Sequence, residues 1–389
     1  MLPFRIVGCL YSSEYGIKIA AGMVRGSYRQ TYALARSSAR ERLQAALGML
    51  WLLDGALQLQ PYMYKRGSNG LLGSVAENTM GRPNVITDFI AFVARLMVAH
   101  QAIGNTFVAA IQLAIGGILV FSAIRRNKKT ARLGLGVSIM WALAVWVVGE
   151  GVGGIIFPQA SMLTGAPGAA LLYCLAALHL WPAKEKVEDA ELSDDRVQPV
   201  TNPARFESVA DRGLLGHNGS LIAWVLVWGG SSLLELQYGN FAPGSIPAQL
   251  RAGALGEPGW LASIDTHAAG LLQGAGTVVA GVLLVAGFAA GWMVLRPFTR
   301  RIALGMGIAL ASVFWVIGQN FGGILTGSGT DPNSGPALVL LALILWPRRL
   351  TVPAIGSGWS PQLDVGDHAT ISAVPARLAH SDQVTPAGD

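Results

Sequence analysis

Trp146-Val-Val-Gly-Glu150-Gly-Val-Gly-Gly154 and Trp315-Val-Ile-Gly-Gln319-Asn-Phe-Gly-Gly323 are two versions of one pattern, and reading them together decides the fold. Working outward, Pro167 and Pro336 follow at the same distance, and Trp181-Pro182 and Trp346-Pro347 close each version. Upstream, Leu57-Gln58-Leu59-Gln60 returns as Leu234-Glu235-Leu236-Gln237, with Trp51 and Trp228 each six residues before. A repeat of this length in a chain this apolar predicts a duplicated membrane bundle.

Composition agrees. The 389 residues are 52% hydrophobic and 13% charged, against about 25% charged in soluble domains. The net charge of +6 does not point to nucleic acid, because the basic residues form short clusters between apolar segments and are not interleaved with aromatics. The two cysteines, Cys9 and Cys174, cannot build a disulfide framework or a Cys-rich metal site. Ile6-Val-Gly-Cys9 has the form of a lipoprotein cleavage box, but the apolar stretch before it is too short for a signal peptide.

A spanning helix needs about 20 mostly apolar residues, and on that basis about eight spans are expected. They are Leu43–Tyr64, Ile103–Ile124, Leu133–Phe157 and Ala166–Trp181, then Leu221–Tyr238, Ala269–Leu295, Ile302–Leu325 and Pro336–Trp346. The fold class is therefore all-α, an integral membrane bundle of two parallel four-helix repeats at 42–182 and 218–347. Segment 1–41 precedes them as a cytoplasmic segment with a short surface helix at Cys9–Met23. Segment 183–217 links them as a charged cytoplasmic linker, and 348–389 reads as a disordered tail rich in Ser, Pro, Gly and Ala. Val85–Ala99 and Gly259–His267 are amphipathic and expected at the surface, each after a Gly-x-Pro.

Arg36, Arg40 and Arg42, Arg125 to Arg132, Arg296 to Arg301, and Arg348 with Arg349 all fall on one side if the spans alternate. That side is cytoplasmic by the positive-inside rule, which places the chain in the plasma (inner) membrane with both termini inside. An even number of spans per repeat puts the pseudo-twofold axis along the membrane normal. Among 49 glycines, the small-residue pairs Gly149 and Gly153, Gly318 and Gly322, Gly270 and Gly274, and Gly287 and Gly291 are expected at helix contacts. The glycines after Gly149 would also let the chain unwind. The tryptophans fit interfacial belts and bundle packing.

Polar residues inside spans carry the functional expectation. Eighteen positions separate Arg132 from Glu150, and Arg301 from Gln319, about 27 Å at helical rise, so both sit toward the outer interface. Asp54 lies deeper and shares a helix face with Gln58. Asp54, Gln58, Gln60, His100 and Glu150 form one candidate binding group; Glu235, Gln237, His267 and Gln319 offer its counterpart. Their interfacial depth also suits plain water-facing carboxylates at Glu150 and Glu235, and His179 reads as structural. No H-x-x-H, C-x-x-C, P-loop, dinucleotide fingerprint or nucleophile turn occurs, so no catalytic residue, metal or cofactor is named.

Arg42-Leu-Gln-Ala-Ala-Leu47-Gly48-Met-Leu50-Trp51, with Gly81-Arg-Pro83 after it, resembles the opening of DoxX-like four-helix membrane proteins. The resemblance implies a four-helix membrane unit associated with membrane redox and thiol-stress systems; it carries over no functional residue. Three roles follow as expectations: a carrier of a small solute or ion at the repeat interface, a redox or metal-handling subunit, and a scaffold held to a membrane protein partner by its glycine faces. In each the lipid bilayer is the first partner.

Overall fold

The computed structural model describes residues 39–65, 70–77, 84–98, 100–182 and 206–349. The expected surface helix at Cys9–Met23, the Ile6–Cys9 box, Gly81-Arg-Pro83, most of the linker and the tail beyond 349 lie outside those residues.

Helix α1 runs over 39–58 and stops before Pro61, which opens a 3-10 turn at Pro61–Tyr64. Short α2 (Leu71–Glu77) and amphipathic α3 (Asn84–Val98) lead to α4 (Gln101–Arg125). Arg126 takes a left-handed conformation and ends α4, and Asn127 then caps α5 (Lys128–Ala144) by accepting from Lys129 N and Thr130 N. This is the ordinary chemistry of a tight helix reversal. After α5 a π-helical turn, Val145–Gly149, leads into the Gly-rich loop and then α6 (Ala169–Leu180).

The second half continues with α7 (Gly216–Val225), its π-helical extension Leu226–Gly230 and a 3-10 turn Leu233–Leu236. Then come α8 (Tyr238–Phe241), α9 (Ser245–Gly253), α10 (Gly259–Leu271), α11 (Gly276–Trp292), α12 (Arg300–Val316) and α13 (Ser334–Leu345). A two-residue antiparallel bridge pairs Phe206–Glu207 with Arg348–Arg349. The linker therefore ends earlier than the charge pattern implies, because residues 206–215 are folded.

Five segments are long and apolar enough to cross a membrane: Gln101–Arg125, Lys128–Gly149, Gly216–Leu236, Gly276–Leu295 and Arg300–Thr326. Their outer faces carry exposed Ile103, Phe107, Met140, Val278, Val282 and Ile302, as a lipid-facing bundle requires. The expected spans Ala166–Trp181 and Pro336–Trp346 are shorter in the structure than these five. They are α6 and α13, 12 residues each, about 18 Å long against a hydrocarbon core of about 30 Å. Both are buried, not lipid-facing. They pack against each other at the centre, with α5 beside α6 and α12 beside α13. Leu172, Tyr173, Ala176, Leu180, Leu338, Leu341 and Leu345 form that centre.

Glycine placement is also partly corrected. On α11, Gly287 and Gly291 do pack against Ser232, Trp228 and Gly229. Gly270 and Gly274 face nothing within 4 Å, and Gly149, Gly153, Gly318 and Gly322 lie at or in unwound loops, not helix contacts. A close helix crossing uses another pair: Gly48 of α1 meets Gly116 of α4 backbone to backbone. Trp51 and Trp228 are core residues, not belt residues.

The Arg-bearing ends gather together. Arg126 pairs with Glu41 at 3.1 Å, Arg132 donates to Pro182 O at 2.9 Å, and Arg301 donates to Pro347 O at 3.2 Å. The Gly-rich loops occupy the other end of α5 and α12.

Candidate functional site

Two loops, one from each half, build the site. In the first, Gly151, Val152, Gly153 and Gly154 all have positive φ; in the second, Asn320, Phe321, Gly322 and Gly323 do. At Gly153 the conformation is tied to a close approach, since a Cβ there would overlap the Pro167 carbonyl. At Gly322 it would overlap the Asp331 carbonyl. Each loop is pinned by its tryptophan: Trp146 Nε1 donates to Pro167 O at 2.9 Å, and Trp315 Nε1 to Pro332 O at 2.8 Å.

The loops aim one polar side chain each at the start of a central helix. Glu150 Oε1 accepts from Ala170 N at 2.9 Å, and Gln319 Oε1 accepts from Gly335 N at 3.0 Å. The first turn of a helix has unpaired N–H groups and a partial positive charge, so both side chains act as caps. Gly168 makes room for the carboxyl, because a Cβ there would overlap Glu150 Oε2.

Asp54, on the last turns of α1, is buried and accepts from Tyr173 OH at 3.3 Å. Trp51, on the same face of α1, sets its ring edge-on to Tyr173 with centroids 5.0 Å apart. The second half then reaches over. Asp331 stands within electrostatic reach of both Asp54 and Glu150. Thr330 Oγ1 donates to Asp331 Oδ2 at 2.9 Å and Asn333 N to Asp331 Oδ1 at 2.7 Å. Loss of water around Asp331 pushes its carboxyl above the usual range, and those two hydrogen bonds oppose the rise. Gln60 Nε2 donates to Gly329 O at 3.2 Å, a second crossing between halves.

The crossing is reciprocal. The first loop reaches into the second half, where Ser161 Oγ donates to Glu235 Oε1 at 2.5 Å. Gln319 Nε2 donates to Met162 O at 3.1 Å and to Ser334 Oγ at 3.0 Å. Beyond it, Asp265 of α10 is buried and accepts from Gly318 N at 3.3 Å. Burial raises its carboxyl above the usual range, with Asn320 and Gly318 pulling the other way.

Of the sequence candidates, Glu150 stands within electrostatic reach of Asp54, and Glu235 and Gln319 bond to the Ser161–Met162 loop. Gln58 is buried one turn beyond Asp54, with its backbone carbonyl accepting from Asn105 Nδ2 at 2.7 Å. His100 is exposed at the start of α4, and its backbone, bonded to Met97 and Gly104, is what the helix uses. His267 is exposed as well, with Nδ1 on Ser263 O. His179 is buried with Nδ1 on Leu175 O, the structural role expected for it. A groove of about 940 Å³ opens beside α8 and α9, lined by Pro158, Gln159, Gln237, Ser245, Ala248 and Gln249 among others. Gln237 is the one sequence candidate that lines it.

Sequence reasoning missed Asp331, Tyr173, Ser161 and Asp265. Asp331-Pro332-Asn333 reads as a turn, and Tyr173 sits in an unbroken apolar run. Among the described residues, no three His, Cys, Asp or Glu side chains group as a metal site. Comparison with models of protein families, with characterised proteins and with solved structures returns no match.

Proposed function

We propose that the chain is a multi-pass carrier of the plasma membrane, built of two related halves, that moves a small solute or ion in step with protons bound at Asp54, Glu150 and Asp331. Support for the two halves comes from the paired tryptophan, cap and loop geometry. Support for the orientation comes from the Arg-bearing ends, which gather on one side and would face the cytoplasm.

The observation that carries the reading is that Asp54, Glu150 and Asp331 stand within electrostatic reach of one another at the junction of the halves, inside an apolar bundle. Like charges within such reach disfavour full ionisation, so the group favours holding a proton. Two of the three belong to one half and the third to the loop of the other. A proton gained or lost there alters the attraction between halves, and rocking of one half against the other is how parallel repeats alternate access. Short helices capped at their N-termini by inward-facing side chains, beside unwound glycine backbone, suit such a site.

Reconstitution tests it. Purified protein in proteoliposomes with a trapped pH dye should show proton movement that depends on an added solute, drawn from a panel of small amines, sugars and carboxylates. Asp54→Asn should abolish that movement, and Asp88→Asn on the exposed face of α3 should leave it intact. Wild-type movement in Asp54→Asn overturns the reading.

A further inference from the structure

Asp265 and Ile90 occupy matching places. Each stands seven residues after the proline of its Gly-x-Pro, and each is fully buried. Ile90 lies in an apolar cluster with Leu71 and Val75. Asp265 lies against the second Gly-rich loop and accepts from Gly318 N at 3.3 Å. A second exchange goes with the first. Asn320 stands where the first half has Gly151 in the Trp-to-Gly pattern, at φ 47° against 51°. Glycine takes that conformation freely and asparagine at a cost, so the amide has a task there.

Where the amide points is fixed by Gly253, the last residue of α9. A Cβ at Gly253 would stand 3.0 Å from Asn320 Nδ2, 3.5 Å from Gly318 O and 3.6 Å from Asp265 Oδ2. Polar atoms from α10 and from the loop after α12 therefore converge beside one bare Cα. Asn320 is 3% exposed. Among the described residues, neither end of its amide makes a hydrogen bond of good geometry, and neither does Asp265 Oδ2. Nδ2 lies close enough to Asp265 to pull its carboxyl down, and a half-turn of an amide held at neither end presents Oδ1 in its place.

The surroundings are negative. α9 ends at Gly253 and α12 at Val316, so two helix C-termini, with their partial negative charge, end at this spot. Glu257 stands within electrostatic reach of Asp265, on the side of Gly323. The groups that shift these two carboxyls include no Lys or Arg, and Arg251 on the last turn of α9 is exposed. A buried carboxyl without a positive partner is costly, and a cation removes that cost.

We propose that the second half binds a monovalent hard cation of the sodium type between Asp265, Asn320 and the Gly318 carbonyl, with Glu257 beside it. One carboxyl at the contact balances one positive charge. The other ligands are amide and backbone oxygens, the donors that hard cations take. Unwound backbone and helix C-terminal ends hold coupling ions in carriers built of repeats. Ile90 and Gly151 supply no such ligands in the first half, so the ion belongs to one half alone. The site rests on the carrier reading only for movement across the membrane, and binding is measured without a gradient.

The experiment is equilibrium binding of radioactive sodium to the detergent-purified full chain in choline chloride, read by scintillation proximity. Binding should saturate, and unlabelled sodium should displace it. Saturating sodium should raise the melting temperature by about 2–4 °C over equal choline chloride. Asp265→Asn should abolish both effects. Asn320→Gly installs the residue that the first half uses at this φ, so it should fold as wild type does while binding sodium about tenfold more weakly. That variant decides the matter if Asp265→Asn fails to fold. No saturable binding, wild-type affinity in Asn320→Gly, or displacement by calcium at about a tenth of the sodium concentration or less overturns the assignment. Sodium binding without solute-driven proton movement in vesicles defeats the carrier reading alone. Proton movement without sodium binding defeats this site alone.

Discussion

Glu150 and Gln319 hold the same post in the two halves and do different work there. Each follows a glycine, each puts Oε1 on the first turn of a buried 12-residue helix, and each sits above a loop held by a tryptophan. The difference lies in the remaining atom. Gln319 Nε2 spends its hydrogens on Met162 O and Ser334 Oγ, so the amide is satisfied and fixed. Glu150 turns its other oxygen toward Gly168, within electrostatic reach of Asp331. Shared backbone geometry therefore carries two different groups: an amide that fastens the halves, and a carboxyl that the proposed function assigns to proton binding.

The comparison breaks most visibly at the loops. Gly153→Ala forces a Cβ into the Pro167 carbonyl at positive φ and should cost about 4 kcal/mol. Gly154→Ala has the same backbone region but open space around it and should cost about 1–2 kcal/mol. Denaturant or thermal unfolding in detergent separates the two, and equal losses would remove the packing argument.

Exchanging the polar residues comes next. Gln319→Glu strips the donors from Met162 O and Ser334 Oγ and should cost about 2–3 kcal/mol. Glu150→Gln keeps an acceptor for Ala170 N, should stay within about 1 kcal/mol of wild type, and should lose proton-coupled movement. If the two exchanges cost the same, the division of tasks is wrong.

A smaller effect concerns pH. Asp331 has its carboxyl raised above the ordinary 3.8, so the folded state binds the proton more tightly than the unfolded state. Stability is then greatest below 3.8 for this group and falls as pH climbs through the raised value. Asp331→Asn should flatten that decline and raise the melting temperature on its alkaline side by about 2–4 °C. A pH profile parallel to wild type would contradict it. Smallest of all, Trp146→Phe and Trp315→Phe each lose one hydrogen bond to a loop proline's carbonyl and should each cost about 1 kcal/mol. A large disparity between them would show that the loops are not equivalent supports.

Much of this was legible along the chain. The Trp-to-Gly pattern marks both unwound loops, since runs of glycine around one polar residue cannot continue a helix cheaply. The arginines mark the opposite end, and Trp-Pro marks where the central helices stop. Local chemistry of that kind is written in neighbouring residues. The site is different, because it is made by crossing. Ser161 meets Glu235 across 74 positions and Gln319 meets Met162 across 157, and no local spacing predicts either. The surroundings of α6 and α13 were illegible for a related reason: uninterrupted apolarity signals burial, and here the burial is in protein.

The crossing of the loops bears on how the chain is made. In hydrocarbon, an unwound backbone must find its hydrogen bonds within the protein. When synthesis reaches α6, the Met162 carbonyl can accept from Gly165 N and the Ser161 hydroxyl from Leu163 N, but Gln319 and Glu235, which they also engage, lie in the half still to come. The first half alone therefore lacks the cross-half bonds to Gln319 and Glu235 that tie down its loop. A chain truncated after Pro182 should accordingly be degraded faster in cells than the full chain.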